Sequence, residues 1–334
     1  MRRFMIVILT LVIAAGGLFW FLTEPTPLVN MASTLAGAVE NGGDAERGKV
    51  IFNAGGCAAC HVSQGQPEDH VDRLKLGGGL ELKSPFGSFY APNISPDPTD
   101  GIGKWKVADL VNAMQAGVSP TGYHYYPAFP YTTYAHASVA DIRDLMAFLR
   151  TLEPVAGKAP AHTLGFPFNI RRALGLWKRL YLDQTPVVDD PSRTAKWNRG
   201  QYLVLALGHC AECHSSRDPV GGIEPRYLFA GGPDLEGTGW VPNITQHKDG
   251  IADWSEKDIS YMLKTGATPD NDSVGSSMTA VVRNTAELSD ADRDAIAAYI
   301  KSLPPREGPP KPPKKEEPAK ADEAPKPTDP ARPG

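Results

Sequence analysis

The chain is 334 residues long, 41% apolar and 22% charged, with 34 basic against 38 acidic side chains and a formal net charge of −4. This composition is globular, is long enough for two domains and excludes nucleic acid as the main partner, because no basic excess is available to neutralise phosphates. The 31 prolines and four cysteines are the unusual features, and their positions mark out the organisation of the chain.

In chain order, Arg2 and Arg3 lead into an uncharged apolar run from Phe4 to Leu22, nineteen residues and close to the length that crosses a bilayer as a helix. The run ends in Phe19-Trp20-Phe21-Leu22 and then Thr23-Glu24-Pro25, without the small-residue site of a cleaved export signal. Residues 1–22 therefore read as an uncleaved anchor in the inner membrane, single-pass, with the two arginines on the cytoplasmic side and the remainder in the periplasm. A linker is expected over residues 23–43.

Two similar units come next, at 44–155 and 191–305, with a connecting segment at 156–190 that carries an amphipathic stretch over 170–182. Gly56-Cys57-Ala58-Ala59-Cys60-His61 returns as His209-Cys210-Ala211-Glu212-Cys213-His214, and Ala91-Pro92-Asn93-Ile94-Ser95 returns as Val241-Pro242-Asn243-Ile244-Thr245. Trp105, Asp109, Gly117 and Pro120 match Trp254, Asp258, Gly266 and Pro269 at a constant offset of 149. Helices are expected before each cysteine pair (44–53 and 194–207), further on (107–116 and 256–264), and at the close of each unit. The closing helices open with Ser138-Val139-Ala140-Asp141 and Ser289-Asp290-Ala291-Asp292, run with apolar residues at helical spacing, and stop at Pro154 and Pro304. No hairpin pattern is recognised. Residues 306–334 are proline-rich and almost without large apolar side chains, which predicts a disordered tail.

Cys-x-x-Cys can hold a structural zinc or act as a redox dithiol, but a zinc would need both pairs gathered together, and a thioredoxin-like strand and helix setting is absent. Followed by histidine, it is the attachment site of a c-type haem: one helical turn presents both sulfurs to the porphyrin vinyl positions, and the next residue directs an imidazole at the iron. The sequence thus predicts two covalently attached haem c groups, on Cys57 and Cys60 with His61, and on Cys210 and Cys213 with His214.

The sixth ligands are expected to differ. Of seven methionines, Met1, Met5 and Met31 lie in or just after the leader, and Met114, Met146 and Met262 occupy apolar positions of expected helices. Met278, in the Gly/Ser-rich loop Val274-Gly275-Ser276-Ser277-Met278, is left as sixth ligand of the second haem. The same register in the first unit lands on Phe129, which cannot ligate iron, so the first haem is either five-coordinate or reached by His124, 63 residues after His61. His209 is a candidate to hydrogen-bond a propionate.

These motifs, together with Tyr126-Pro127-Ala128-Phe129-Pro130-Tyr131 and Phe166-Pro167-Phe168-Asn169-Ile170-Arg171, resemble class I-type cytochromes c. More closely, the chain resembles the multihaem cytochrome subunits of bacterial membrane-bound dehydrogenases for alcohols, gluconate and fructose. The resemblance implies a mainly α fold of two tandem cytochrome c domains after an N-terminal transmembrane helix, one haem per domain, and redox partner proteins: a dehydrogenase subunit or respiratory-chain donor, and a terminal acceptor. It also implies a methionine where Phe129 stands, and three haem domains where this chain has two. A single-electron carrier is the expected function, with a dihaem peroxidase or small-molecule oxidase using an open first haem as the alternative.

Overall fold

The apolar run after Arg3 forms one helix, α1 (Arg2–Leu22), long and apolar enough to cross a membrane. A computed structural model of the chain describes residues 1–25, 42–67, 70–235 and 239–311, so most of the expected linker and residues 312–334 of the expected tail lie outside the described residues.

The first unit continues with α2 (Ala45–Ala54), α3 (Cys57–His61), strands β1 (Glu81–Ser84) and β2 (Gly87–Tyr90), α4 (Val107–Val111), α5 (Tyr131–Tyr134) and α6 (Val139–Leu149). Asp44 caps α2 by accepting from the Glu46 and Arg47 N–H groups, and Ser138 caps α6 by accepting from the Asp141 N–H. The connecting segment holds β3 (Thr163–Leu164) and α7 (Leu174–Tyr181). The second unit repeats the plan with α8 (Ala195–Tyr202), α9 (Cys210–His214), β4 (Gly232–Pro233), β5 (Trp240–Val241), α10 (Glu256–Thr265), α11 (Ser277–Thr285) and α12 (Asp290–Lys301). Both α4 and α8 run on through a π-helical turn, Asn112–Ala116 and Leu203–Leu207.

In each unit the first helix crosses the last, α2 on α6 and α8 on α12. Glycine permits the approach at both crossings: a Cβ on Gly48 would stand 2.0 Å from the Asp144 carbonyl oxygen, and one on Gly200 would stand 1.9 Å from that of Ala295. Ion pairs tie the same crossings, Arg47 to Asp144 and Arg199 to Asp292, each at 2.8 Å. The two units share one continuous apolar core, in which Phe52, Leu145 and Met146 of the first belong to the same cluster as Leu203, Leu207 and Ile296 of the second.

The structure corrects the sequence-based expectations at three places. First, β1 and β2 form an antiparallel hairpin with Glu81 opposite Tyr90, and β3 adds to it with Leu164 opposite Gly87. Its strands are four residues long and mostly half-exposed, so no apolar alternation marks them. A turn holds them instead: Ser84 Oγ donates to the Gly87 carbonyl at 2.8 Å, and Gly87 has φ of +123°. Second, Met278 is the second residue of α11 and not part of a loop. Third, the expected tail begins too early, because Arg306 and Gly308 pack into the second unit: the Arg306 N–H donates to Thr245 Oγ1 at 3.1 Å, and a Cβ on Gly308 would meet the Ala230 carbonyl at 2.6 Å.

Gly200→Ala is expected to destabilise the second unit by about 1–3 kcal/mol, because the backbones at the crossing must separate to admit the methyl group. A guanidinium titration followed by circular dichroism measures this, and an unchanged midpoint would contradict the close crossing.

Candidate haem-binding sites

Each Cys-x-x-Cys-His begins after a residue in the left-handed region, Gly56 (φ +64°) before α3 and His209 (φ +39°) before α9. This reversal ends the preceding helix and starts one turn that carries both cysteines and the histidine. Burial pushes the Cys57 and Cys210 thiols up to about 12, so neither is a ready thiolate for zinc or for disulfide exchange. Among the described residues no group of three or more His, Cys, Asp or Glu side chains could hold a metal ion.

The two histidines are oriented identically. His61 Nδ1 lies 2.8 Å from the Pro92 carbonyl oxygen, and His214 Nδ1 lies 2.8 Å from that of Pro242. A carbonyl only accepts, so Nδ1 carries the proton and Nε2 presents a lone pair. Burial lowers the pKa of both rings, opposed by the proline carbonyls, which favours the neutral imidazole that ligation needs. Two thiols and a neutral, pre-oriented imidazole on one helical turn fit a covalently bound haem.

Those proline carbonyls are themselves anchored. Asn93, buried, accepts the Ser95 N–H at 2.9 Å and donates to the Val155 and Gly157 carbonyls at 2.6 and 2.9 Å. Asn243, also buried, accepts the Thr245 N–H at 2.8 Å and donates to the Arg306 carbonyl at 2.8 Å. The Pro-Asn-Ile turn therefore ties His61 and His214 to the chain that leaves each unit's closing helix. The repeat of Pro92-Asn93-Ile94 in Pro242-Asn243-Ile244 is visible in the sequence, but its task as histidine orienter is not. A buried asparagine repeated beside a proline is the available signal.

Met278 lies in the first turn of α11, partly buried against the shared core. That helix packs against α2 and α3 of the first unit, and Arg73 donates to Asn284 Oδ1 at 2.6 Å and to the Arg283 carbonyl at 2.9 Å. Phe129 sits among the rings of Tyr125, Tyr131 and Tyr134, at centroid distances of 5.9, 6.3 and 5.7 Å. Met114 and Met146 are core residues, 4% and 1% exposed.

His124 is drawn elsewhere. Its backbone bridges to Val118, as Ser273 bridges to Ala267 in the second unit, so the offset of 149 persists and no loop slack carries it forward. The ring is buried. Nε2 donates to the Thr23 carbonyl at 2.9 Å, and Nδ1 accepts from Lys178 Nζ at 3.0 Å. Ligating iron would require one of these bonds to break. Burial first, and then the neighbouring Lys178, lower its pKa to about 4.

His209 lies at a seam between the two Cys-x-x-Cys-His helices, α3 and α9. A Cβ on Gly56 would stand 3.2 Å from His209 Nε2, and the His209 ring meets Tyr134 edge-on at 6.1 Å. Tyr134 Oη donates to the Gly55 carbonyl at 2.6 Å. Thr132 and Thr133 hydroxyls donate to Glu212 Oε1 at 2.6 and 3.1 Å, and Arg217 pairs with the other oxygen of that carboxylate. The residue before Cys57 thus lies beside the residue before Cys210.

The helical fold and its repeat agree with the family this chain matches. The profile of the Cytochrome c family matches residues 45–153 and again 198–304, and the chain belongs to that family. It is 47% identical over 304 residues to a diheme cytochrome c-type protein of Cereibacter sphaeroides, covering 91% of this chain and 99% of that one. It is 35% identical over 286 residues to the fructose dehydrogenase cytochrome subunit of Gluconobacter japonicus, covering 84% of this chain and 55% of that one. It is also 35% identical over 270 residues to the cytochrome c subunit of the quinone-dependent alcohol dehydrogenase of Gluconobacter oxydans, covering 78% of this chain and 54% of that one. The chain thus spans about half the length of these two dehydrogenase subunits.

Asn243→Ala is expected to cost about 1–3 kcal/mol of stability by leaving the buried Thr245 N–H without its acceptor and removing the shorter of two bonds to the Arg306 carbonyl. Thermal melts of Asn243→Ala and Asn93→Ala measure this, and a melting temperature equal to that of the unchanged protein would contradict the anchoring role.

Proposed function

We propose that this chain is a membrane-anchored dihaem cytochrome c in the periplasm, relaying single electrons between a dehydrogenase or the respiratory chain and an acceptor. In this reading Cys57 and Cys60 hold one haem and Cys210 and Cys213 the other, His61 and His214 supply the first axial ligands, and Met278 supplies the sixth ligand of the second site. When bound, haem c supplies reversible one-electron chemistry. The polypeptide fixes each imidazole and, through the core the two units share, keeps the sites near each other.

The observation that carries the reading is the seam at Gly56 and His209, because relay needs two redox groups held close in a rigid frame. A partner dehydrogenase is suggested by the relatives that are named as dehydrogenase subunits. An inner-membrane location is suggested by α1.

A second reading, a dihaem enzyme that binds substrate at the first haem, is favoured by one observation. Phe129 stands in the register of Met278, and His124 is engaged by Thr23 and Lys178.

Met278→Ala is expected to abolish the sulfur-to-iron charge-transfer band of the ferric protein, and an unchanged visible spectrum overturns that ligand. Carbon monoxide titration of the reduced protein is expected to show one equivalent bound per chain, at the first haem. No binding would mean that another side chain closes that site and would sink the enzymatic reading.

A further inference from the structure

The C-terminal end of an isolated apolar helix leaves its last carbonyls without intrahelical partners. Here cationic and imidazole side chains from the rest of the protein take them up. Arg172 donates to the Trp20 carbonyl at 2.8 Å, Arg179 to that of Leu22 at 2.7 Å, and His124 to that of Thr23 at 2.9 Å. The Arg172 guanidinium also lies 3.5 Å from the centroid of the Trp20 ring. Thr23 is fully buried, and a Cβ on Gly175 would stand 2.6 Å from its Cα, so α7 lies directly across the end of α1.

Helix α7 is fastened to both haem domains. Lys178 donates to the Ala116 and Gly117 carbonyls at 2.7 and 2.6 Å and to His124, which uses all three of its protons. Toward the second domain, Trp177 Nε1 donates to the Val220 carbonyl at 3.0 Å, and Tyr181 Oη donates to Asp218 at 2.6 Å.

This segment exposes several large apolar side chains. Phe166, Phe168, Ile170, Leu176 and Leu180 are exposed, Phe166 by 81% and Leu180 by 75%. At 1.5 Å rise per residue, the residues that Arg172, Gly175 and Arg179 meet, Trp20 to Thr23, cover only roughly 5 Å at the end of α1, where the headgroups of a spanned bilayer lie. A segment with apolar residues outward and arginines at its margin suits that boundary.

We propose that residues 166–180 form a foot that rests in the outer boundary of the same phospholipid bilayer that α1 crosses, fixing how the two haem domains stand on the membrane. The occupant of this apolar face is lipid, because the face is continuous with the emerging end of α1. The proposal rests on the reading of α1 as an anchor.

The test uses the full-length holoprotein, its own cysteines occupied by haem, in phosphatidylethanolamine and phosphatidylglycerol liposomes. Phe166→Cys and Leu180→Cys carry a nitroxide, with Val12→Cys inside α1 and the exposed Tyr261→Cys as controls, and the haem spectrum confirms folding. Power-saturation electron paramagnetic resonance compares collisions with oxygen, which enters the bilayer, and with a water-soluble nickel chelate. The foot predicts that oxygen exceeds nickel several-fold at 166, 180 and 12, with the reverse at 261. Nickel access at 166 and 180 with only 12 shielded overturns the foot and leaves the anchor standing. Nickel access at 12 as well overturns both. Shielding of 166 and 180 from nickel with no gain in oxygen assigns the surface to protein contact and overturns the lipid proposal.

Discussion

A single hydrogen bond decides the chemistry of each half of this protein. The proline carbonyl that accepts from Nδ1 of His61 or His214 settles which imidazole nitrogen is bare, and so which one can meet iron. That carbonyl is useful only if it stays in place, and the buried Asn93 and Asn243 hold it by bonding to the chain beyond the closing helix. The crossing of first and last helices at Gly48 and Gly200 brings that departing chain near enough to be bonded. Ligand orientation, turn, closing helix and glycine crossing therefore form one linked device, present twice.

Duplication with divergence explains the rest. The second copy keeps a methionine at the start of α11, whereas the first has Phe129 inside a cluster of tyrosine rings. The first copy diverts His124 to structural use, because the unit must also receive the end of α1 and the helix α7. Burial draws the pKa of Lys178 down to about 7, and the Ala116 and Gly117 carbonyls and His124 Nδ1 stand around its Nζ as acceptors. The shared core and the approach of His209 to Gly56 then pack two similar domains together with their Cys-x-x-Cys-His turns near each other.

Much of this is legible in the residues. Capping serines at 138 and 289, apolar spacing behind them and proline stops mark the closing helices, because local chemistry at helix ends acts within a few residues. The hairpin of β1 and β2 escapes notice because its short strands lack an apolar face and rely on Ser84 and Gly87 instead. Met278 reads as a loop residue because Gly275 and the serines beside it signal a turn, yet α11 starts at once and is held by packing against α10 of its own unit and α2 and α3 of the other. Arg306 belongs to the folded unit although its surroundings are proline-rich, since its partner Asn243 is 63 positions away.

The sequence by itself determined the features that depend on near neighbours: an apolar helix at the start, two attachment turns, the repeat and its helices, and a phenylalanine at position 129 where the repeat register carries Met278. Only the tertiary structure decided where His124 and His209 point, which atoms anchor the histidines and how α7 grips the end of α1. Those outcomes depend on pairs such as Arg172 and Trp20, 152 residues apart. No local pattern encodes such a pairing, because it arises only when packing has brought both ends to the same place.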